Sequence, residues 1–133
     1  MKNRAVFLDR DGVINRVILR KGKPCSPRKL EEFQFIPGIE SVLKELKEAG
    51  FLLVVVTNQP EVARGLISRD ELDKIHQIIR RELPIDDILV CPHDDDDGCD
   101  CRKPKPGMIL EASGKWDIDP ERSFLVGDAW KDI

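Results

Sequence analysis

The sequence has no tyrosine, two tryptophans, five phenylalanines, two histidines and only four cysteines in 133 residues. It also lacks an excess of positive charge, with 22 Lys and Arg against 25 Asp and Glu, a formal net charge of -3 and a pI near 5.5. That removes the broad basic footprint by which proteins hold nucleic acid or anionic lipid, so any phosphate must be gripped locally. No long hydrophobic run is present; Phe51 to Val56 is the longest, far short of the roughly 20 residues that cross a bilayer. The N-terminus, Met1-Lys2-Asn3-Arg4 followed by Ala5 to Leu8, lacks the length and cleavage site of a secretory signal, which makes the cytoplasm the expected location and excludes a membrane partner. Internal repeats are absent too. With 41% hydrophobic residues, the composition suits a single domain, 1–133, with one modest core.

What is present alternates between two periods. Ala5 to Leu8 is a short apolar run that leads into Asp9-Arg10-Asp11-Gly12, the pattern of a buried strand ending in a polar loop. From Asn15 to Gln34 no period is sustained, and a surface loop or irregular flap is expected. Ile39, Val42, Leu43 and Leu46 recur at helical spacing, with Gly50 as a stop signal. Phe51 to Val56 reads as a central strand ending at Thr57-Asn58-Gln59. Ser68-Arg69-Asp70-Glu71 has the form of a capping box, and Leu72, Ile75, Ile78 and Ile79 give a second helix that stops before Pro84. Asp87 to Cys91 reads as a third strand, a helix begins near Pro106-Gly107, and Ser123 to Val126 is a fourth strand. The order βαβαβαβ predicts an α/β fold, a doubly wound parallel sheet with helices on both faces.

In such sheets ligands bind beyond the carboxyl ends of the strands. Those ends carry Asp9 and Asp11, Thr57 and Asn58, and Asp128 and Asp132. Four carboxylates at one mouth repel one another unless a cation sits among them, and a hard, oxygen-seeking ion such as Mg²⁺ is the natural occupant. Residues two apart in extended chain project to one side, so Asp9 and Asp11 can face one substrate, one as nucleophile and one as proton carrier. A second cluster, Cys91-Pro92-His93 and Cys99-Asp100-Cys101, offers the Cys₃His set of a four-coordinate structural zinc. Asp94 to Asp97 is expected as the solvated tip of that loop rather than a calcium site, since it lacks alternating ligand spacing and a closing Glu. Cys25 and His76 are expected in ordinary surface or core roles.

Phe7-Leu8-Asp9-Arg10-Asp11-Gly12-Val13, Val56-Thr57-Asn58-Gln59, Arg102-Lys103-Pro104 and Val126-Gly127-Asp128-Ala129-Trp130-Lys131-Asp132 resemble the four ordered motifs of the haloacid dehalogenase superfamily of phosphatases. The resemblance implies a Rossmann-like core without a separate cap domain. Asp9 would attack phosphorus, and Asp11 would serve as general acid and base, its pKa raised by the neighbouring carboxylate. Asp9, the Asp11 carbonyl and Asp128 would hold Mg²⁺. Thr57 and Lys103 would stabilise the phosphoryl oxygens, and Asp132 would orient Lys103 or a metal-bound water.

A zinc loop between motifs two and three, together with Ala63-Arg64-Gly65, is similar to the branch that holds D-glycero-D-manno-heptose 1,7-bisphosphate phosphatases and related histidinol-phosphate phosphatases. It implies substrate contacts from Arg10, Asn58, Gln59, Arg64 and Arg102. Departures lie at Val17-Ile18-Leu19-Arg20, where that branch usually has Asp, Gly and Tyr, and at Pro60-Glu61 in place of a Ser-Gly pair. Sugar recognition there is expected to differ. The expected activity is Mg²⁺-dependent hydrolysis of a heptose 1,7-bisphosphate by a monomer, with histidinol phosphate or another small ester as alternative substrate. Rivals from other classes are a receiver-like phosphoacceptor and a zinc-stapled binding module. Because the superfamily fold continues beyond motif four, the chain is expected to lack a final βα unit, which would leave its last strand as an edge open to association.

Overall fold

The computed structural model describes residues 2–92 and 107–127. Four parallel strands make the main sheet: β1 (Ala5–Leu8), β4 (Leu52–Asn58), β5 (Asp87–Cys91) and β6 (Phe124–Val126), in the spatial order β5-β4-β1-β6. A separate antiparallel hairpin is formed by β2 (Ile18–Arg20) and β3 (Lys23–Cys25). The helices are α1 (Ile39–Glu48), α2 (Arg69–Glu82) and α3 (Gly107–Trp116). None of the helices among the described residues is long and apolar enough to cross a membrane.

The period of two along the central strands divides the core between the two faces of the sheet. Val6 and Leu8 of β1 with Leu53 and Val55 of β4 pack against Leu43 of α1 and Leu72, Ile75 and Ile79 of α2. Ala5, Phe7, Val54 and Val56 turn the other way, onto Met108 and Ala112 of α3. Both faces are thus covered, which is why β1 and β4 read as unbroken apolar runs.

Chain order reverses at β1, which has β4 on one side and β6 on the other. The crevice beyond its carboxyl end is the switch point where such sheets bind ligands, and Asp9 follows directly. The backbone N–H of Asp9 donates to the Val126 carbonyl at 2.9 Å, extending the β1–β6 ladder one step past the strand.

Three sequence expectations need correction. The 15–34 segment is not irregular, since β2 and β3 pair through Ile18 opposite Cys25 and Arg20 opposite Lys23. Lys21 and Gly22 form its turn, both at positive φ (53° and 76°), the conformation that suits two-residue hairpins. Second, α2 buries Leu72, Ile75, His76 and Ile79, so His76 takes a core place that Ile78 was expected to share. Third, the capping box at Ser68 is half realised. Its hydroxyl accepts from the Glu71 N–H at 3.1 Å, but the Glu71 carboxylate accepts the Leu30 N–H at 3.0 Å instead of turning back.

Candidate active site

The loop after β1 is shaped by one carbonyl and one glycine. The Arg10 carbonyl accepts the N–H groups of Val13, Ile14 and Asn15 at 3.3, 2.8 and 3.2 Å. Gly12 sits at φ 89°, a conformation that disfavours any side chain. This tight turn brings Asn15, entirely buried, back against Asp11.

The Asp11 carboxylate accepts five hydrogen bonds from the residues around it. Its Oδ1 accepts from Arg10 Nε at 3.1 Å, Arg10 Nη2 at 2.8 Å and Asn15 Nδ2 at 3.0 Å. Its Oδ2 accepts from Gln59 Nε2 at 3.1 Å and from the Ser26 hydroxyl. Burial, the largest influence, pushes the Asp11 pKa up. The Arg10 charge and the hydrogen bonds from Ser26, Asn15 and Arg10 together outweigh it and hold the group below its ordinary value. The expected upward shift is therefore reversed, because the donors around Asp11 act more strongly than a neighbouring carboxylate.

Arg10 was expected at the substrate, but it has no solvent exposure. Its guanidinium is spent on Asp11 and on His76, whose Nε2 lies 3.1 Å from Arg10 Nη1. Arginine has no acceptor, so that imidazole nitrogen must accept, which fixes a neutral ring. Burial, with the nearby charges of Arg10 and Arg80, pushes the His76 pKa down to about 3. Arg10 is thus a support of Asp11 rather than a surface group.

Gln59 shows the same displacement from expectation. It is 1% exposed, and its amide donates to both Asp11 Oδ2 and Thr57 Oγ1, the latter at 2.7 Å. Its backbone N–H donates to the Cys91 carbonyl at 2.8 Å. Because Thr57 Oγ1 accepts from Gln59, the Thr57 hydroxyl keeps its own proton for another partner. Thr57 and Asn58 are still strand residues, opposite Val90 and Cys91, so both are held at the end of the sheet. Asp9 is half-buried, with its Oδ1 accepting the Arg10 N–H at 2.9 Å. Arg64 lies exposed on the turn that follows β4.

The hairpin adds residues that no sequence motif flagged. Ser26 reaches Asp11. Arg28 forks onto Glu61 with both bonds at 3.1 Å. Arg20 forks onto Glu32 at 3.1 and 2.8 Å, and it also donates to the Ser26 carbonyl at 3.3 Å. Of the residues missed from sequence, Asn15 and Ser26 carried no signal beyond being polar, and His76 was visible only as a histidine beside an apolar stripe.

His93, Cys99, Cys101, Arg102, Lys103, Asp128 and Asp132 lie outside the described residues. Cys91 is described and fully buried at the end of β5. Among the described residues no group of three or more His, Cys, Asp or Glu could hold a metal ion.

Comparison with known proteins bears on this geometry. A family model described as polynucleotide kinase 3 phosphatase matches residues 6–132. The D-glycero-beta-D-manno-heptose-1,7-bisphosphate 7-phosphatase of Pasteurella multocida is 40% identical over 98% of this chain and 73% of its own length. The corresponding alpha-heptose enzyme of Campylobacter jejuni is 38% identical over 100% of this chain and 76% of its own. A crystal structure of D,D-heptose 1,7-bisphosphate phosphatase from B. bronchiseptica, complexed with magnesium and phosphate, superposes with a TM-score of 0.81 at 34% identity. That match covers 97% of this chain and 72% of the other.

Proposed function

The chain belongs to the haloacid dehalogenase-type phosphatases, in the family described as polynucleotide kinase 3 phosphatase, and on that premise we propose that it hydrolyses a sugar phosphate, a heptose 1,7-bisphosphate at its 7-phosphate, through an aspartyl-phosphate on Asp9. The observation that carries the mechanism is the unequal environment of two carboxylates at one strand end. Asp9 is the first residue past β1, its Oδ1 accepting the Arg10 backbone N–H, whereas both oxygens of Asp11 are held by side-chain donors. Unequal surroundings give two acids different work, here nucleophile and proton carrier.

Asp11 would protonate the leaving oxygen and then take a proton from the water that opens the acyl phosphate. The anionic substrate phosphate arriving beside it raises its proton affinity, countering the donors that lower it at rest. Thr57 is as fully buried as Arg10, but its hydroxyl proton is not given to Gln59, and it would donate to a phosphoryl oxygen. Lys103 would share that charge, Arg102, Arg64 and Asn58 would meet the rest of the substrate, and Asp132 would orient Lys103.

The residues fit a magnesium ion. With its carboxylate committed to five hydrogen bonds, Asp11 offers an ion only its backbone oxygen. The Asp9 carboxylate and Asp128 would complete an all-oxygen set suited to a hard cation. When bound, the ion offsets the repulsion between carboxylates and phosphate. Cys91, His93, Cys99 and Cys101 would hold a structural zinc, which the Gln59–Cys91 backbone bond would tie to the phosphate site. The reading places the enzyme in the cytoplasm as a monomer acting on a small molecule.

Phosphate release tests this, measured with and without Mg²⁺ on heptose 1,7-bisphosphate, histidinol phosphate and a 3′-phosphorylated oligonucleotide. Mg²⁺-dependent release from the heptose ester, abolished in Asp9→Asn, is expected. Turnover that survives in Asp9→Asn would sink the covalent route, and preference for the oligonucleotide would replace the sugar. Metal analysis of protein purified without chelator should find one zinc per chain.

A further inference from the structure

We infer that Ser26, carried on the β2–β3 hairpin, is a positioning residue for the proton transfer made by Asp11, an inference that rests on the acid and base role just proposed for that residue. The two oxygens of Asp11 differ in what their partners can do. Oδ1 faces Arg10 and the Asn15 amide nitrogen, groups that can only donate. A proton on Oδ1 would meet those N–H groups head-on, so the transferable proton belongs on Oδ2. There the partners are the Gln59 amide nitrogen, again only a donor, and the Ser26 hydroxyl.

Ser26 is the partner whose hydroxyl can both give and accept a hydrogen bond. While Oδ2 carries the proton, the hydroxyl turns away and leaves that proton to the leaving oxygen. In the transfer the Oδ2–H bond breaks, an O–H bond forms on the departing alcohol, and the electron pair stays on Oδ2. Ser26 then donates to the new carboxylate. Among the described residues, no other contact to Asp11 adjusts in this way without leaving a donor stranded.

Ser26 is braced from behind for this task. Its carbonyl accepts from Arg20, which is forked onto Glu32. Glu32 Oε1 also accepts the Arg28 N–H at 2.8 Å. Arg28 is clamped to Glu61, which is only 7% exposed and lies just past the Thr57-Asn58-Gln59 motif. One clamp, Arg28 to Glu61, thus joins this segment to the active-site wall, and a second, Arg20 to Glu32, braces it from within.

The test exploits leaving groups. Loss of acid catalysis slows release of an alcohol but spares a leaving group that departs as a stable anion. First-turnover phosphorylation of the full chain would be followed with heptose 1,7-bisphosphate and with 2,4-dinitrophenyl phosphate. Ser26→Ala is expected to lower the first rate about tenfold with KM unchanged, and to alter the second less than about twofold. Ser26→Thr, which keeps the hydroxyl, should restore the rate, and Ser26→Cys, similar in shape but a weak donor, should follow Ala and serves if Ala does not fold. Equal losses on both substrates, or no loss on either, would overturn the inference while leaving the phosphatase reading intact. A wild-type chain that releases nothing from either substrate would overturn both.

Discussion

His76 Nε2 lies 3.1 Å from Arg10 Nη1 in the interior, the imidazole 6% exposed and the guanidinium not at all. A helix on one face of the sheet thereby supports the arginine that carries two of the bonds to Asp11. Replacing His76 with Phe would strand a buried N–H. The expected cost is about 1–3 kcal/mol, read from urea unfolding. His76→Gln, whose carbonyl can accept from Arg10, should recover much of it.

The same pair sets a pH dependence. The His76 pKa falls from 6.5 to about 3 on folding, so between those values the unfolded chain binds a proton that the folded chain refuses. Its contribution is complete above about pH 6.5 and is lost as pH falls toward 3, with a size on the order of a few kcal/mol. Unfolding midpoints measured from pH 7 to pH 4 should drop more steeply for the wild type than for His76→Gln.

Release of the hairpin should be visible to a protease. Arg28 and Glu61 are partly buried, with side chains 31% and 10% exposed. Their coupling in a double-substitution cycle should be about 1 kcal/mol. Glu61→Gln and Arg28→Ala should both speed tryptic cutting at Arg20 and Lys21 by several-fold, and equal cutting rates would show that the clamp holds nothing.

Gln59 offers a sharper substitution. Gln59→Glu changes no volume but sets a second carboxylate against Asp11 Oδ2, 3.1 Å from the present amide nitrogen. Like charges so close cannot both ionise easily. Turnover of heptose bisphosphate near neutral pH is expected to fall at least about tenfold, whereas a wild-type rate would place Gln59 outside the proton-transfer machinery.

Much of the sheet was legible because burial on both faces writes itself as continuous apolar sequence. Ala5–Leu8 and Asp87–Cys91 coincide with their strands, and Ser123 to Val126 is off by one residue. The hairpin was not legible for the opposite reason. Its strands are three residues long, Leu19 is 72% exposed, and no buried face imposes a period of two. A Lys-Gly pair made the turn where Asn-Gly would have announced it. At the site, charge misled. Arg10 and Gln59 look like groups for solvent and substrate, yet both are consumed inside, and only the three-dimensional count of donors around Asp11 reverses the sign of its pKa shift.

The position of β1 between β4 and β6 has a consequence for synthesis on the ribosome. β1 emerges first, but the Ala5 N–H donates to the Ser123 hydroxyl oxygen across 118 residues, and its partner β6 is, among the described residues, the last strand of the sheet in chain order. Until β6 emerges, one side of β1 is an unpaired apolar edge, the kind of surface that nascent chains lose to aggregation and chaperones cover. Asp9 gains its backbone bond to Val126 only at that late step. Asp9 is thus clamped only after the strands between β1 and β6 have been made, so a chain halted before β6 would carry the aspartate without that backbone bond.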